Sequence, residues 1–321
     1  MGDAPTRPRR SCLSVPGSNP RMLAKAPSLL ADEVFMDLED SVAPAAKVPA
    51  RAHIVEALQG NDWAHKTVAV RINSIDTQWA ADDVRAVAGE AGERIDCIMI
   101  PKVEHAHEVM FVDHLLRMME ANLGLDRRIG IEAQIESAAG LTKVHAIAHA
   151  SDRLETLIFG PADMSASLGM PAVTPGLAMP GYPGDHWHSV LMQIQVAARS
   201  AGLQAIDGPY LLIKDLAGLR TMAERAKGLG YDGKWAVHPS QLEVLNEVFT
   251  PSQEDYDKAE ATLELLRHAH EEEDRGAVMF GTEMIDEASR KMAVRVVERG
   301  RAAGLSTAKT LEDFRREWGA C

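Results

Sequence analysis

The chain has 321 residues, 46% of them hydrophobic, enough for a substantial core, which excludes a chain disordered throughout. Its net charge of −13 excludes the basic face of a general nucleic-acid binder, yet leaves room for a local arginine and lysine cluster around an anionic substrate. Three scattered cysteines, Cys12, Cys97 and Cys321, with no CxxC pair, suggest neither a disulfide framework nor a zinc site. Met1 to Arg10 is polar and basic without the apolar core of a signal peptide, and no apolar stretch approaches a membrane span, so a cytoplasmic protein is expected.

Eight short apolar runs precede residue 240: Cys12–Pro16, Glu33–Leu38, Thr67–Ile72, Cys97–Pro101, Ile129–Ile135, Leu157–Phe159, Leu203–Ile206 and Lys234–Val237. Helical-period segments lie between them, including His107–Asn122, Ala138–Ala150, Ser189–Ala201 and Leu216–Leu229. Gly202 and Gly230 follow two of these helices, where a left-handed residue is expected. Strand–helix alternation repeated eight times predicts an α/β protein of the (β/α)8 TIM-barrel class over residues 1–250. A doubly wound open sheet is the alternative, weakened by the absence of a GxGxxG turn after the first strand. Residues 251–321 read as a helical C-terminal lid extension: a polar helix over Ser252–Glu273, whose acidic Glu271–Asp274 run is a solvated end, a turn-rich piece, and an amphipathic helix over Met284–Arg301.

In a barrel, residues at the carboxyl ends of the strands converge on one face. Ser14-Val-Pro-Gly-Ser-Asn19 leads from a strand into a helix whose free N–H groups could take a phosphate, with Lys25 about two turns on; a plain loop with a surface lysine explains it equally well. Met36-Asp-Leu-Glu-Asp-Ser41 puts three acids at the next strand end. Arg71 closes a buried strand and must be paired, with Asp37 or Glu39 as core partners and a substrate carboxylate or enolate as the functional one. Lys102 stands at a fourth strand end as a structural or substrate-binding residue. Glu136 and Asp163 follow two consecutive strands and suit a hard divalent cation, although such a pair could equally be salt-bridged. Small Gly160 and Ala162 would let backbone N–H groups near Asp163 approach a ligand carboxylate. Met170–Trp187, rich in proline and glycine, reads as a long lid or binding loop directly after the Asp163 strand. His238 and Pro239 close the eighth strand, the histidine having the character of a structural residue, and Asp286 reads as a first-turn acid that complements a helix dipole.

Taken in order, these segments resemble the malyl-CoA lyase and citrate lyase β-subunit-like family, part of the HpcH/HpaI aldolase group. The matching stretches are Ser14-Val-Pro-Gly-Ser18, Asp37-Leu-Glu-Asp-Ser-Val-Ala-Pro44, Val70-Arg-Ile-Asn73, Ile100-Pro-Lys-Val103, Ile135-Glu-Ser-Ala-Ala-Gly140, Gly160-Pro-Ala-Asp163, Ile206-Asp-Gly-Pro209 and Lys234-Trp-Ala-Val-His-Pro239. Tyr182-Pro-Gly-Asp-His-Trp-His188 and Ile285-Asp-Glu-Ala-Ser289 look more like the malyl-CoA and β-methylmalyl-CoA lyases than the shorter citrate lyase subunits. The resemblance implies Mg2+, with Mn2+ as a substitute, held by Glu136 and Asp163; Arg71 as the transition-state arginine; and Asp286 on a lid supplied by a neighbouring subunit of a homotrimer or homohexamer. It also implies that Ser14, Asn19, Lys25, Ala162, His238 and Pro239 contact acyl-CoA, beside a glyoxylate-type 2-oxo acid. Asn19 departs from members that carry a basic residue there, leaving Arg21 as the nearby cation. The reaction implied is reversible cleavage of (3S)-malyl-CoA or β-methylmalyl-CoA to glyoxylate and acetyl-CoA or propionyl-CoA. Citramalyl-CoA cleavage to pyruvate, hydrolysis as a malyl-CoA thioesterase or malate synthase, and a non-autonomous citrate lyase subunit are the competing expectations.

Overall fold

The structure is a computed structural model that describes residues 7–171, 174, 179, 181–273 and 275–318. Pro175, Gly176 and Pro180 of the expected loop, Asp274 of the acidic run, and Cys321 lie outside the described residues. The chain divides into two compact units, Met1–Phe249 and Thr250–Cys321.

Unit 1 is a closed barrel of parallel strands: β1 Ser11–Pro16, β2 Glu33–Asp37, β3 Thr67–Arg71, β4 Cys97–Ile100, β5 Gly130–Ile135, β6 Leu154–Phe159, β7 Gln204–Asp207 and β8 Gly233–Ala236, each hydrogen-bonded to its sequence neighbours, with β8 closing on β1. The (β/α)8 expectation is met, and the open-sheet alternative is excluded by that closure. Strands buried on both faces read as unbroken apolar runs, which is why they were visible in the sequence. The helices of this unit are α1 Pro20–Lys25, α2 Lys47–Gly60, α3 Ala80–Ala91, α4 Ala106–Leu123, α5 Ala138–Thr142, α6 Val144–Ala148, α7 Pro161–Ser167, α8 His188–Ser200, α9 Leu216–Gly228 and α10 Leu242–Phe249. They lay apolar stripes on the barrel wall, as α8 does with Val190, Leu191, Ile194, Ala197 and Ala198. Gly202 and Gly230 adopt φ of 76° and 94°, as expected of residues that end helices in the left-handed region.

Three details differ from the sequence reading. The Ala138–Ala150 segment is two short helices interrupted at Lys143, where Gly140 and Thr142, poor helix formers, weaken the last turn of α5. The helix α7 intervenes between β6 and the proline-rich loop, so that loop does not follow the strand directly. The helix α1 has only six residues and Lys25 is its last, so the lysine is not two turns inside.

The barrel interior is layered by the period-two alternation of its strands. The apolar layer consists of Cys12, Phe35, Ala69, Cys97, Met99, Ile158, Ile206 and Trp235. On β2 the residues at the same parity as Phe35 are Glu33 below and Asp37 above; on β5 the corresponding set is Glu132, Gln134 and Glu136. The amino-terminal end is plugged by Arg9, whose fully buried guanidinium reaches Glu33 (2.8 Å), Glu132 (2.8 Å), Glu155 (2.7 Å) and Gln204 (2.6 Å). One oxygen of Glu33 and one of Glu132 are buried with no donor. Burial, and then the Glu132 charge, push the Glu33 carboxyl well above its ordinary value.

Unit 2 contains α11 Gln253–Glu273, a hairpin of β9 Val278–Phe280 and β10 Glu283–Ile285, α12 Glu287–Ala302 and α13 Leu311–Trp318. The predicted helix over Met284–Arg301 starts late, because Met284 and Ile285 pair with Met279 and Val278. Its small core gathers Ala261, Leu265, Leu266, Phe280, Ile285, Leu311 and Phe314. No described helix is long and apolar enough to cross a membrane.

Replacing Arg9 with Met should destabilise unit 1 by about 3–5 kcal/mol in urea unfolding, since three glutamates lose their buried counter-charge. The Glu33 carboxyl, raised in the folded state, contributes stability that is complete below the ordinary glutamate value and lost as pH rises through the raised one. Glu33→Gln should therefore flatten the decline of Tm with rising pH; an unchanged slope would contradict the raised Glu33 carboxyl.

Candidate active site

The carboxyl ends of β2 to β6 carry the residues singled out in the sequence. Asp37 and Arg71 are register partners on adjacent strands, and the guanidinium grips the carboxylate with two hydrogen bonds, 2.7 Å from Nε and 2.8 Å from Nη2. Its Nη1 lies 3.2 Å from Glu39. Arg71 is 6% exposed and rests on the aromatic layer beneath, 5.4 Å from the Trp235 ring centroid and 5.9 Å from that of Phe35. Both core acids named as alternative partners are used. Burial alone would raise the Asp37 carboxyl, but Arg71, the Ser41 hydroxyl and the Glu39 N–H hold it down at about 2.

Glu136 stands one residue past β5 and is 3% exposed. The Lys102 N–H donates to its Oε1 at 2.7 Å, and the Gln134 amide reaches Oε2 at 3.3 Å. From the other side it leans over Gly160, where a Cβ would stand 2.1 Å from Oε2. Gly160 is thus a close-approach glycine for the carboxylate of Glu136. Burial pushes the Glu136 carboxyl up, Arg71 pulls it down and Asp163 pushes it up again, to about 7. Asp163 lies in the first turn of α7, not at the strand end, where the helix dipole favours an acid, and its side chain is 39% exposed. The Lys102 ammonium bridges this group, paired with Glu39, 3.1 Å from Asp40 and 3.9 Å from Asp163.

The remaining sequence candidates sit around the same mouth or apart from it. Ser14 is half-buried on β1, and His238 and Pro239 are exposed just past β8, the neighbour of β1 in the closed barrel. His238 Nδ1 caps a short turn through Ser240, 2.9 Å from its Oγ and 3.1 Å from its N. Asn19 uses its side chain as the N-cap of α1, accepting from the Met22 N–H at 3.2 Å; Lys25, Arg21 and Ala162 are exposed. Asp286, in unit 2, is the N-cap of α12 rather than a first-turn acid, accepting from the N–H groups of Ala288 (2.9 Å) and Ser289 (3.2 Å). The helix it opens is followed by α13 and is not the last.

Two residues of the site were assigned no role in the sequence. Lys47 is buried and donates to the carbonyls of Leu38 and Glu39, both at 3.0 Å, and to Asn73 at 2.5 Å, fixing the acidic turn after β2. Nothing local marks it, because its partners come from other elements. Gln134 approaches Arg71 (3.4 Å) as well as Glu136, and its parity with Glu136 on β5 was the available signal.

Five carboxylates, Asp37, Glu39, Asp40, Glu136 and Asp163, face two cations, Arg71 and Lys102. At Glu136 burial, and then the charge of Asp163, outweigh the pull of Arg71 and raise the carboxyl. Among the described residues no group of three or more His, Cys, Asp or Glu side chains is arranged to hold a metal by itself. Glu136 and Asp163, near enough that the charge of Asp163 raises the Glu136 carboxyl, fit a hard divalent cation, which would complete its shell with water and substrate oxygens.

Residues 10–239 match the HpcH/HpaI aldolase/citrate lyase family. The chain is 40% identical over 302 residues to the L-malyl-CoA/beta-methylmalyl-CoA lyase of Cereibacter sphaeroides (strain ATCC 17029), covering 91% of this chain and 95% of that protein. It is 30% identical over 317 residues to the malyl-CoA/beta-methylmalyl-CoA/citramalyl-CoA lyase of Chloroflexus aurantiacus, covering 93% and 90%. Its fold is similar to that of CitE from Mycobacterium tuberculosis in complex with magnesium, acetoacetate and coenzyme A, with a TM-score of 0.71, 30% identity, and coverage of 94% of this chain and 99% of that one.

Gly160→Ala forces the Glu136 carboxylate to move and should weaken divalent-cation binding at least roughly tenfold, a loss of about 1.4 kcal/mol, in calorimetric titration. A cation competes with a proton on Glu136, so affinity should fall as pH drops below about 7 and level off above it. Glu136→Gln should abolish that pH dependence along with tight binding.

Proposed function

Because the chain belongs to the HpcH/HpaI aldolase/citrate lyase family, we propose that it is a Mg2+-dependent carbon–carbon lyase of the cytoplasm that cleaves (3S)-malyl-CoA and β-methylmalyl-CoA reversibly to glyoxylate and acetyl-CoA or propionyl-CoA. The observation that carries the reading is Arg71, buried and aimed across the barrel mouth beside the under-neutralised Glu136. The 40% identity to a named malyl-CoA lyase supports the substrate class.

Glu136 and Asp163 would hold Mg2+, or Mn2+ in its place, and the ion when bound acts as a Lewis acid toward the α-hydroxy acid portion. Cleavage breaks the bond between the carbinol carbon and the methylene: the hydroxyl gives up its proton to water, its oxygen forms the C=O of glyoxylate, and the electron pair of the broken bond becomes the thioester enolate. Arg71, held rigid by Asp37 and Glu39, stabilises that developing negative charge, an electrostatic effect worth several kcal/mol of barrier. Asp286 then delivers a proton to the enolate carbon, and takes one from the acetyl methyl group in the reverse direction. Its position as an N-cap makes it a fixed acid on a short helical lid formed by residues 251–321, supplied to a neighbouring subunit of a homotrimer or homohexamer. Ser14, Asn19, Lys25, Ala162, His238 and Pro239 would receive acyl-CoA; Ser14 lies on β1 and His238 just past β8, two strands that adjoin at the barrel's closure. Citramalyl-CoA is a second substrate on this reading, because the Chloroflexus aurantiacus relative is named for it and one methyl gives only about 1–3 kcal/mol of discrimination.

The purified protein should release glyoxylate from (3S)-malyl-CoA only when Mg2+ is present. Pyruvate from citramalyl-CoA alone would move the assignment to that substrate, free malate would indicate hydrolysis, and no product would sink the reading. Asp286→Asn should abolish deuterium exchange into acetyl-CoA while leaving Mg2+ binding intact. Mixing inactive Glu136→Gln and Asp286→Asn proteins should restore activity if the acid comes from a neighbour, and restore none if each subunit uses its own.

A further inference from the structure

Lys102 occupies the centre of the acidic cluster but has no part in the chemistry described so far. Its backbone is in the left-handed region, φ 53°, the one non-glycine so placed among the described residues. A lysine there is strained by contact of Cβ with the backbone, and strain of this kind persists where surrounding groups enforce it. Here they enforce it from two directions. The turn aims the Lys102 N–H at Glu136 Oε1, 2.7 Å away, and sends the side chain back across the mouth to pair with Glu39 and Asp40. The ammonium ends 3.9 Å from Asp163, in charge contact but beyond hydrogen-bond distance.

We infer that Lys102 is a positioning residue of the cation site with two separable actions: its main chain orients Glu136, while its ammonium opposes capture of a divalent cation and shares Glu39 with Arg71. The inference rests on the lyase reading, in that Glu136 and Asp163 take the metal. Its consequence is a metal site that is weak until substrate oxygens complete it, so that cation and substrate bind together. A cation near Asp163 must share that carboxylate's field with a positive charge already beside it, and like charges at such a distance repel. The same ammonium also partners Glu39, which otherwise faces only Arg71, so that removing it shifts more of that acid's pull onto the arginine.

Glycine accepts the left-handed conformation without strain and retains the N–H, so Lys102→Gly deletes the ammonium alone. Titrating Mg2+ alone into the substrate-free protein by calorimetry, the variant should bind roughly tenfold tighter than wild type. Its Tm should not fall, and its kcat should drop with little change in the KM for acyl-CoA. Lys102→Arg, which keeps the charge, should bind Mg2+ as wild type does. Weaker or unchanged Mg2+ binding in Lys102→Gly, with wild-type binding intact, overturns this inference and leaves the lyase reading standing. Tighter binding in Lys102→Arg also overturns it, because the charge would then be irrelevant. Absence of Mg2+ binding to wild type both without and with substrate overturns both.

Discussion

The buried ion pair between Arg71 and Asp37 is the constraint on which the rest of the site depends. Both side chains lie inside a closed barrel, above an aromatic layer that offers no hydrogen bonds, and an unpaired charge there would cost several kcal/mol. The pair is possible because β2 and β3 are in register at these two residues. Once Arg71 is committed to Asp37, its remaining edge meets Glu39, Glu39 meets Lys102, and Lys102 meets Glu136 through its N–H. A chain of contacts thus runs from the second strand to the fifth, and each link is oriented by the previous one.

The same rule of alternation organises the other end of the barrel. Residues two apart on a strand point the same way, so the acids that flank the apolar layer fall at fixed depths: Glu33 and Asp37 on β2, Glu132 and Glu136 on β5. The two ends solve the problem of buried acids differently. At the amino-terminal end Arg9 is supplied by a segment preceding the first strand, and burial beside Glu132 raises the Glu33 carboxyl. At the carboxyl end the neutralisation is left incomplete at Glu136. One end gathers its acids on a central arginine and leaves one oxygen each of Glu33 and Glu132 without a donor, whereas the other spreads five carboxylates over Arg71 and Lys102.

Unit 2 illustrates how a small element acquires a fixed acid. The hairpin turns at Gly281, whose φ of 60° is easy only for glycine, and places Ile285 in the little core beside Phe280 and Phe314. Asp286 follows immediately and satisfies two N–H groups at the start of α12. The capping bonds hold one oxygen of its carboxylate by the backbone, and the same bonds prevent the helix from starting at Met284.

The strands were legible in the sequence because burial on both faces leaves only apolar residues for several positions in a row, and the helices because their apolar residues recur on one stripe. Eightfold alternation then leaves few architectures, and the motifs at Arg71, Glu136 and Asp163 mark the carboxyl end as the candidate site. Partner choice was less legible. Asp37 and Glu39 were both possible partners for Arg71, and strand register together with side-chain reach decided that both serve. Lys47 and Arg9 gave no local signal, since a lysine at a helix start or an arginine in a basic leader looks like a surface residue until distant carbonyls and acids are brought to it. Gly160 read as a small residue beside Asp163, and only the parallel register of β5 and β6, with Ile135 opposite Phe159, made it the seat of the Glu136 carboxylate. Composition and periodicity therefore determined the barrel and the faces of its elements, because these depend on what each stretch must bury. Tertiary structure alone decided which charges meet, because that depends on distances between residues that the order of the chain does not set.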